Sequence, residues 1–324
     1  MKLLKICLSF AALSLTATSA LADLVAYISP IGAQPGQQVI SSGMEAGAKE
    51  LGWDYTVLDA NLSADKQVSH VDTLLNMKAK AFSTWSLDPN AVAGAFARAK
   101  DAGVPVIGLN SAGEGVTNTV WWATNVCTKG GAYDQQAAWI AKKQAGAKVV
   151  VVGGPPVPSI QANVKCFTEA AKAAGLDVID QIDNTKDSQA NAATIVADEL
   201  LRHPDAQVFW TYNDSSALGV SAAVLAGGKR VYGATGTDGI MIFGLNADPD
   251  ALTAIKEGRL TGTWDPNNFA SGLAMILAIQ TVLKDPAAAQ TPLTVASTLV
   301  TFENLGQAGQ GATTMTLKDV PLEK

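Results

Sequence analysis

Short apolar runs rich in β-branched residues alternate with longer amphipathic, alanine-rich segments from Leu24 to about Lys284. Such runs suit strands buried on both faces, and the segments between them suit crossover helices, so the pattern predicts βαβ units and parallel sheets. A first set of strands is expected at 24–28, 53–58, 79–85, 104–109 and 119–124. A second set is expected at 148–152, 176–182, 207–211, 231–235 and 260–264. Helices fill the gaps: one over 64–77 behind an Asn61-Leu62-Ser63 start signal, one over 90–102, and one over 214–225 ending at Gly227-Gly228. The two sets read as two similar half-molecules, each a small doubly wound parallel sheet, with no residue-level repeat between them. In such sheets a ligand lies beyond the carboxyl ends of the strands, so here it would lie between the halves. From Asp285 the periodicity breaks at Pro286, Pro292 and the glycine-rich stretch 306–311, which predicts one or two short strands rather than a third domain.

Ahead of this pattern stand Met1-Lys2-Leu3-Leu4-Lys5, an apolar stretch from Ile6 to Leu15, and Ala20-Leu21-Ala22 before Asp23. A charged, then apolar, then small-residue order is that of a secretory signal peptide, expected over residues 1–22. No later segment offers about 18 uninterrupted apolar residues, so a soluble, exported mature chain is expected in the periplasm. Cys7 lies inside the apolar stretch and no cysteine sits at the cleavage point, which argues against a lipoprotein. The full chain of 324 residues carries 23 basic and 29 acidic side chains; without Lys2 and Lys5 the balance is 21 against 29, net −8. That acidity disfavours nucleic acid as a partner. A length of this kind makes two domains of roughly 150 residues, and 48% hydrophobic against 16% charged residues can bury both cores. After the leader only Cys127 and Cys166 remain, an even pair in an oxidising compartment. A single disulfide, with both cysteines in the second half, is the simple reading, and two separate buried thiols are the alternative.

Several ordered segments carry a family resemblance: Gly43-Met44-Glu45-Ala46-Gly47-Ala48 followed by Leu51-Gly52-Trp53, Val57 to Asn61, Ala102-Gly103-Val104-Pro105-Val106-Ile107, Ala123-Thr124-Asn125, His203-Pro204-Asp205-Ala206, Tyr212-Asn213-Asp214 with Ala217-Leu218-Gly219, and Gly236-Thr237-Asp238-Gly239. Each is weak alone, but in this order and spacing the chain resembles the ribose-type periplasmic sugar-binding proteins of ATP-driven importers, over nearly all of its mature length. These are related to the ligand-binding halves of lactose-repressor-like regulators. A regulator needs a DNA-binding headpiece, and this chain has a signal peptide there. The resemblance implies the type I periplasmic-binding-protein fold, two α/β lobes joined by a three-strand hinge that closes on a ligand. The crossovers would fall near Asn125, Asp265 and Ala296, giving a first lobe of 23–125 plus 266–296 and a second of 126–265 plus 297–324. It also implies a monomer without cofactor or metal, which hands its ligand to the membrane permease of an ABC importer.

A polyhydroxylated ligand needs amides and carboxylates for its hydroxyls and aromatic rings for its apolar faces. Asn110 matches the family position where an aspartate binds hydroxyls, with Ser111 where the ribose-specific pattern has arginine; an Asn closing a turn is the plain alternative. Asn213 matches a ligand-contacting amide, and Asp214 reads as a helix cap. Asp238 matches a principal hydroxyl acceptor, against a simple Asp-Gly turn. Asp265 falls at the second crossover, where Pro266 is the competing alignment. Asn163 stands where the family carries an arginine, and Cys166 replaces a glycine; loss of the guanidinium fork points away from ribose itself. Trp85 and Trp264 are candidate stacking platforms, with core packing as the alternative, whereas Trp121 and Trp122 point to opposite faces of one strand and read as structural. Relative to the ribose pattern the loop from Pro30 to Gln38 is about five residues longer, which alters the first-lobe wall.

The only arginines are Arg98, Arg202, Arg230 and Arg259, and none sits at a strand's carboxyl end. An anionic ligand usually recruits an Arg fork or a helix N-terminus, so a small neutral sugar or polyol is favoured. A ligand sensor for a chemoreceptor uses the same fold and stays open. An exported α/β hydrolase is disfavoured: His70 and His203 are the only imidazoles, neither is placed as a triad partner, and there is no Gly-x-Ser-x-Gly elbow. Nor is there a phosphate loop, because Gly153-Gly154 runs into Pro155-Pro156, which lack backbone donors.

Overall fold

Val149 to Val152 are four β-branched residues in succession, all fully buried, and only a central strand covered on both faces hides such a run. The computed structural model describes residues 22–286, 291–308 and 314–323; apart from Ala22, the expected leader lies outside them. In the first lobe β1 (Leu24–Ser29), α1 (Pro35–Glu50), β2 (Asp54–Asp59), α2 (Ala64–Asn76), β3 (Ala81–Thr84), α3 (Pro89–Asp101), β4 (Val106–Leu109) and β5 (Asn118–Trp122) follow in order. The chain then crosses to the second lobe, made of α4 (Ala132–Lys143), β6 (Lys148–Gly153), α5 (Pro158–Ala173), β7 (Asp177–Asp183), α6 (Gln189–Arg202), β8 (Val208–Thr211), α7 (Asp214–Ala226), β9 (Met241–Leu245), α8 (Pro249–Lys256) and β10 (Gly262–Asp265). It returns through α9 (Asn268–Lys284) and β11 (Leu293–Val295) to the first lobe, and crosses again to β12 (Thr298–Thr301) in the second. The sheets run β11-β5-β4-β3-β1-β2 and β12-β10-β9-β8-β6-β7. All pairings are parallel except β10 with β12.

Helix starts follow local chemistry. The Ser63 hydroxyl accepts from the Lys66 N–H at the head of α2, the Asp88 carboxylate accepts from Asn90 and Ala91 ahead of α3, and the Ser188 hydroxyl accepts from Asn191 at the head of α6.

Two expectations need correction. No sheet strand forms at 231–235: Val231 makes only an isolated bridge to Ile240, and the strand lies at Met241–Leu245. This slot between β8 and β10 is buried on both faces, which the unbroken run Ile240-Met241-Ile242-Phe243 satisfies and a segment holding Gly233, Thr235 and Gly236 does not. The last residues also do not stay with the second lobe. The Leu317 N–H donates to the Glu50 carboxylate at 3.0 Å, Leu317 packs beside Gly47 and Ile276, and Leu322 bridges to Val295 of β11. Leu317 is apolar and buries its side chain on the first lobe, so the chain crosses between the lobes once more than expected.

Cys127, just past the first crossing, and Cys166 on α5 form a disulfide with Cα atoms 5.1 Å apart, both in the second lobe as expected. Closing a loop of 39 residues contributes about 4 kcal/mol in the chain-entropy treatment. The C127A/C166A double variant should therefore melt well below the parent under oxidising conditions, and a peptide map without reductant should show the two cysteine peptides linked; equal melting would mean the bond adds nothing.

Candidate functional site

The carboxyl ends of β1, β3 and β5 face those of β6 to β9 across a cleft that encloses ≈ 720 Å³ of empty space, part of it continuous with solvent. Parallel strands place their loops on one edge, so facing sheets converge polar side chains on one gap. The first-lobe wall comes from the head of α1, with Gln34, Gly36 and Gln37, and from Trp85 and Trp122 at the ends of β3 and β5. The second-lobe wall comes from Ser159 and Asn163 on α5, Asp187 between β7 and α6, Tyr212 and Asn213 after β8, and Asn246 after β9. Asn268, at the start of α9, closes the hinge side.

Trp85 and Trp122 meet edge to face, centroids 4.9 Å apart at 88°, forming an indole corner. The Trp85 N–H donates across the cleft to the Ser159 hydroxyl at 2.7 Å. The Trp122 N–H donates to the Ser271 hydroxyl of α9 at 3.0 Å. A second bridge between the lobes runs from Gln34 Nε2 to Asp187 Oδ2 at 3.0 Å. Asp187 Oδ1 also accepts from Asn213 Nδ2 at 2.8 Å and from the Tyr212 hydroxyl. Burial raises the Tyr212 phenol far above its ordinary pKa, so it stays a neutral donor. The Asn213 Oδ1 caps α7 through the Ser216 N–H at 2.9 Å.

Of the side chains read from sequence, Trp85, Asn163 and Asn213 stand in the cleft. Asn163 already has partners, accepting from the Tyr133 hydroxyl at 2.8 Å and donating at 3.3 Å to Oδ1 of Asn125 at the first crossing. Asn110, in the left-handed region at φ 48°, lies behind the wall, where its Oδ1 accepts from the Trp122 backbone N–H at 2.8 Å and fixes the end of β5 that carries the indole. Its buried Nδ2 has no partner among the described residues. Asp265 is buried on the outer side of the hinge, where its Oδ1 accepts from the Asn267 N–H at 2.9 Å.

Two readings do not hold. Asp238 is exposed and pairs with Arg230 outside the cleft, because the glycine-rich loop it sits in precedes β9 instead of following a strand. Trp264 points into the core, donating to Gln136 Oε1 at 2.9 Å and meeting Tyr133 edge-on; the alternation along β10 sends it and Asp265 to opposite faces. In their place stand Gln34, Trp122, Asp187, Tyr212 and Asn246. Placing residues after strand ends would have found Asn246 had β9 been located, and it also applies to Asp187, which follows β7.

Asp214 is not the cap of α7. Its carboxyl is fully buried, accepting from the Thr263 hydroxyl at 2.6 Å and the Asp248 N–H at 2.8 Å. Gly244 leaves room for it, since a Cβ there would strike Asp214 Oδ1. Burial, reinforced by Asp248, pushes the Asp214 carboxyl up to about 8. Asp248 is pushed up to about 6 by its own burial and by Asp250, while hydrogen bonds from the Asn246 side chain and the Gly36 N–H of the opposite lobe hold it back.

The family described as periplasmic binding protein domain matches residues 25–287. The chain belongs to the periplasmic binding protein family. Within it, the binding protein is 30% identical to the ribose import binding protein RbsB of Bacillus subtilis over 230 residues, 69% of this chain and 70% of that one. It is also 30% identical to the D-apiose import binding protein of Paraburkholderia graminis over 260 residues, 76% of this chain and 77% of that one. Its fold is shared with a Caulobacter myo-inositol binding protein, at TM-score 0.74 and 24% identity over 90% of this chain and 97% of that one. The same holds for a solute-binding protein from Burkholderia graminis in complex with D-arabinose, at TM-score 0.78 and 16% identity over 89% and 98%.

The two raised carboxyls give the binding protein a pH dependence of known sign. Between the ordinary aspartate value of about 3.9 and about 8, the folded protein holds a proton on Asp214 that the unfolded chain releases, so rising pH favours unfolding. Asp248 acts in the same direction up to about 6. Melting temperature should fall from pH 6 to pH 8.5, and Asp214→Asn should flatten that slope; parallel slopes in parent and variant would contradict the assignment.

Proposed function

We propose that the protein, exported by residues 1–22, captures a neutral sugar or polyol in the periplasm by closing its lobes and delivers it to the membrane permease of an ABC importer. The observation that carries this reading is the make-up of the cleft: an indole corner for an apolar ring face, amides on both lobes and at the hinge for hydroxyls, and no lysine or arginine among its described lining. The relatives support it, since the two named above are import binding proteins for ribose and D-apiose. Closure completes the site, because Gln34 and Trp85 belong to one lobe and Asp187 and Ser159 to the other.

A thermal-shift panel of D-ribose, D-allose, D-arabinose and myo-inositol tests the class. A ligand at about 100 times its Kd stabilises the folded protein by about 2.7 kcal/mol, a shift of several degrees. At least one member should raise the melting temperature, and the same compound should reduce the radius of gyration in solution scattering. A panel without any shift, or a shift with an unchanged scattering profile, would overturn capture by closure.

A further inference from the structure

Asp187 is the only charged side chain among the described residues that line the cleft. Its loop is pinned from beneath by Asn184, which is fully buried. The Asn184 Nδ2 donates to the Ser188 carbonyl at 3.0 Å and to the Ser216 hydroxyl at 2.9 Å, its Oδ1 accepts from Asn191 Nδ2 at 2.8 Å, and its carbonyl accepts from the Asp187 N–H at 3.0 Å. Asp187 itself sits in the left-handed region, φ 47°, a conformation that aspartate tolerates better than most residues. The carboxylate is therefore held at a set place in the gap.

Its hydrogen bonds divide unequally. Oδ1 takes two donors, Tyr212 and Asn213, both from the next strand end of the same lobe. Oδ2 takes one, Gln34, from the opposite lobe. An ionised carboxylate offers about four lone-pair positions, so one on Oδ2 is still available. The Gln34 bond is the exchangeable one: it comes from a half-buried side chain of the opposite lobe, whereas Tyr212 and Asn213 are buried beside Asp187 in its own lobe.

Building on capture of a neutral polyol, we propose that Asp187 is the residue that selects the ligand. Its Oδ2 accepts two adjacent ligand hydroxyls, one at the available position and one in the place held by Gln34. Tyr212 and Asn213 keep the carboxylate aimed by saturating Oδ1. The ligand class is then a ring carrying neighbouring hydroxyls that can point at one carboxylate oxygen. Sugar acids are turned away, because their carboxylate would face Asp187 with no cation among the described lining residues to offset it.

The test uses the panel compound that gives the parent its largest thermal shift, together with analogues each lacking one ring hydroxyl, measured by calorimetry on the parent, Asp187→Asn and Gln34→Ala. Asp187→Asn keeps the size of the side chain, and ligand-free melts show whether it folds. Loss of charge-assisted bonds should weaken binding by about tenfold to a hundredfold, clearly more than Gln34→Ala does. One analogue that binds the parent poorly should bind Asp187→Asn no worse than the full compound does. D-glucuronate should gain affinity in Asp187→Asn relative to the parent. Asp187→Asn within threefold of the parent, or equal losses in Asp187→Asn and Gln34→Ala, would reduce Asp187 to a latch between lobes and end the proposal while leaving capture intact. Failure of every panel compound to bind the parent would overturn both.

Discussion

The packing of α1 against α9 sets the position of both the hinge and the first-lobe wall. Gly43 faces the Phe269 carbonyl and Gly272 faces the Ile40 carbonyl so closely that a Cβ at either would strike backbone. Backbone cannot swing aside as a long side chain can, so these glycines are the condition for the two helices to lie together. The head of α1 carries Gln34, Gly36 and Gln37 into the cleft, and the head of α9 carries Asn268 beside them. A helix is stiff along its axis, so a contact made in its body places the polar groups at its tip.

The second lobe handles its acids in two ways. Asp187 stays at the cleft and is met by neutral donors, while Asp214 goes fully inside, with the Thr263 hydroxyl and the Asp248 N–H as donors. The buried group pins the turn after β9, and Asn246 stands on that turn. Desolvation raises its pKa, which trades stability at alkaline pH for an anchored loop. The same turn meets the first lobe where the Asn246 side chain lies against Gly36, so the anchored loop also shapes the contact between the lobes.

Most of the architecture was legible because strands covered on both faces need continuous apolar runs, as in Val149 to Val152. The chain passes from one sheet to the other after β5, after β10 and between β11 and β12. Legibility ended where two segments competed for one slot. Val231 to Thr235 and Met241 to Leu245 both precede a turn with a polar residue, and choosing the first moved the expected carboxylate to exposed Asp238 and hid Asn246. For Trp264 the strand was right but its facing was not, since one step along β10 reverses the side-chain direction. Asp187 was hidden differently: its role comes from Tyr212, Asn213 and Gln34 gathering round it, and Gln34 is 153 residues away in sequence.

The path of the chain also bears on its synthesis. Glu50 waits for Leu317, 267 residues further on, and the first sheet lacks its edge until β11 is made. A nascent chain therefore cannot finish its first lobe while the second is still emerging, since α9, β11 and the final turn all arrive last. Until then the partial lobe exposes the α1 face that α9 will cover. Completion of the fold is deferred to the C-terminus, and removal of a few final residues would be felt in the lobe that was synthesised first.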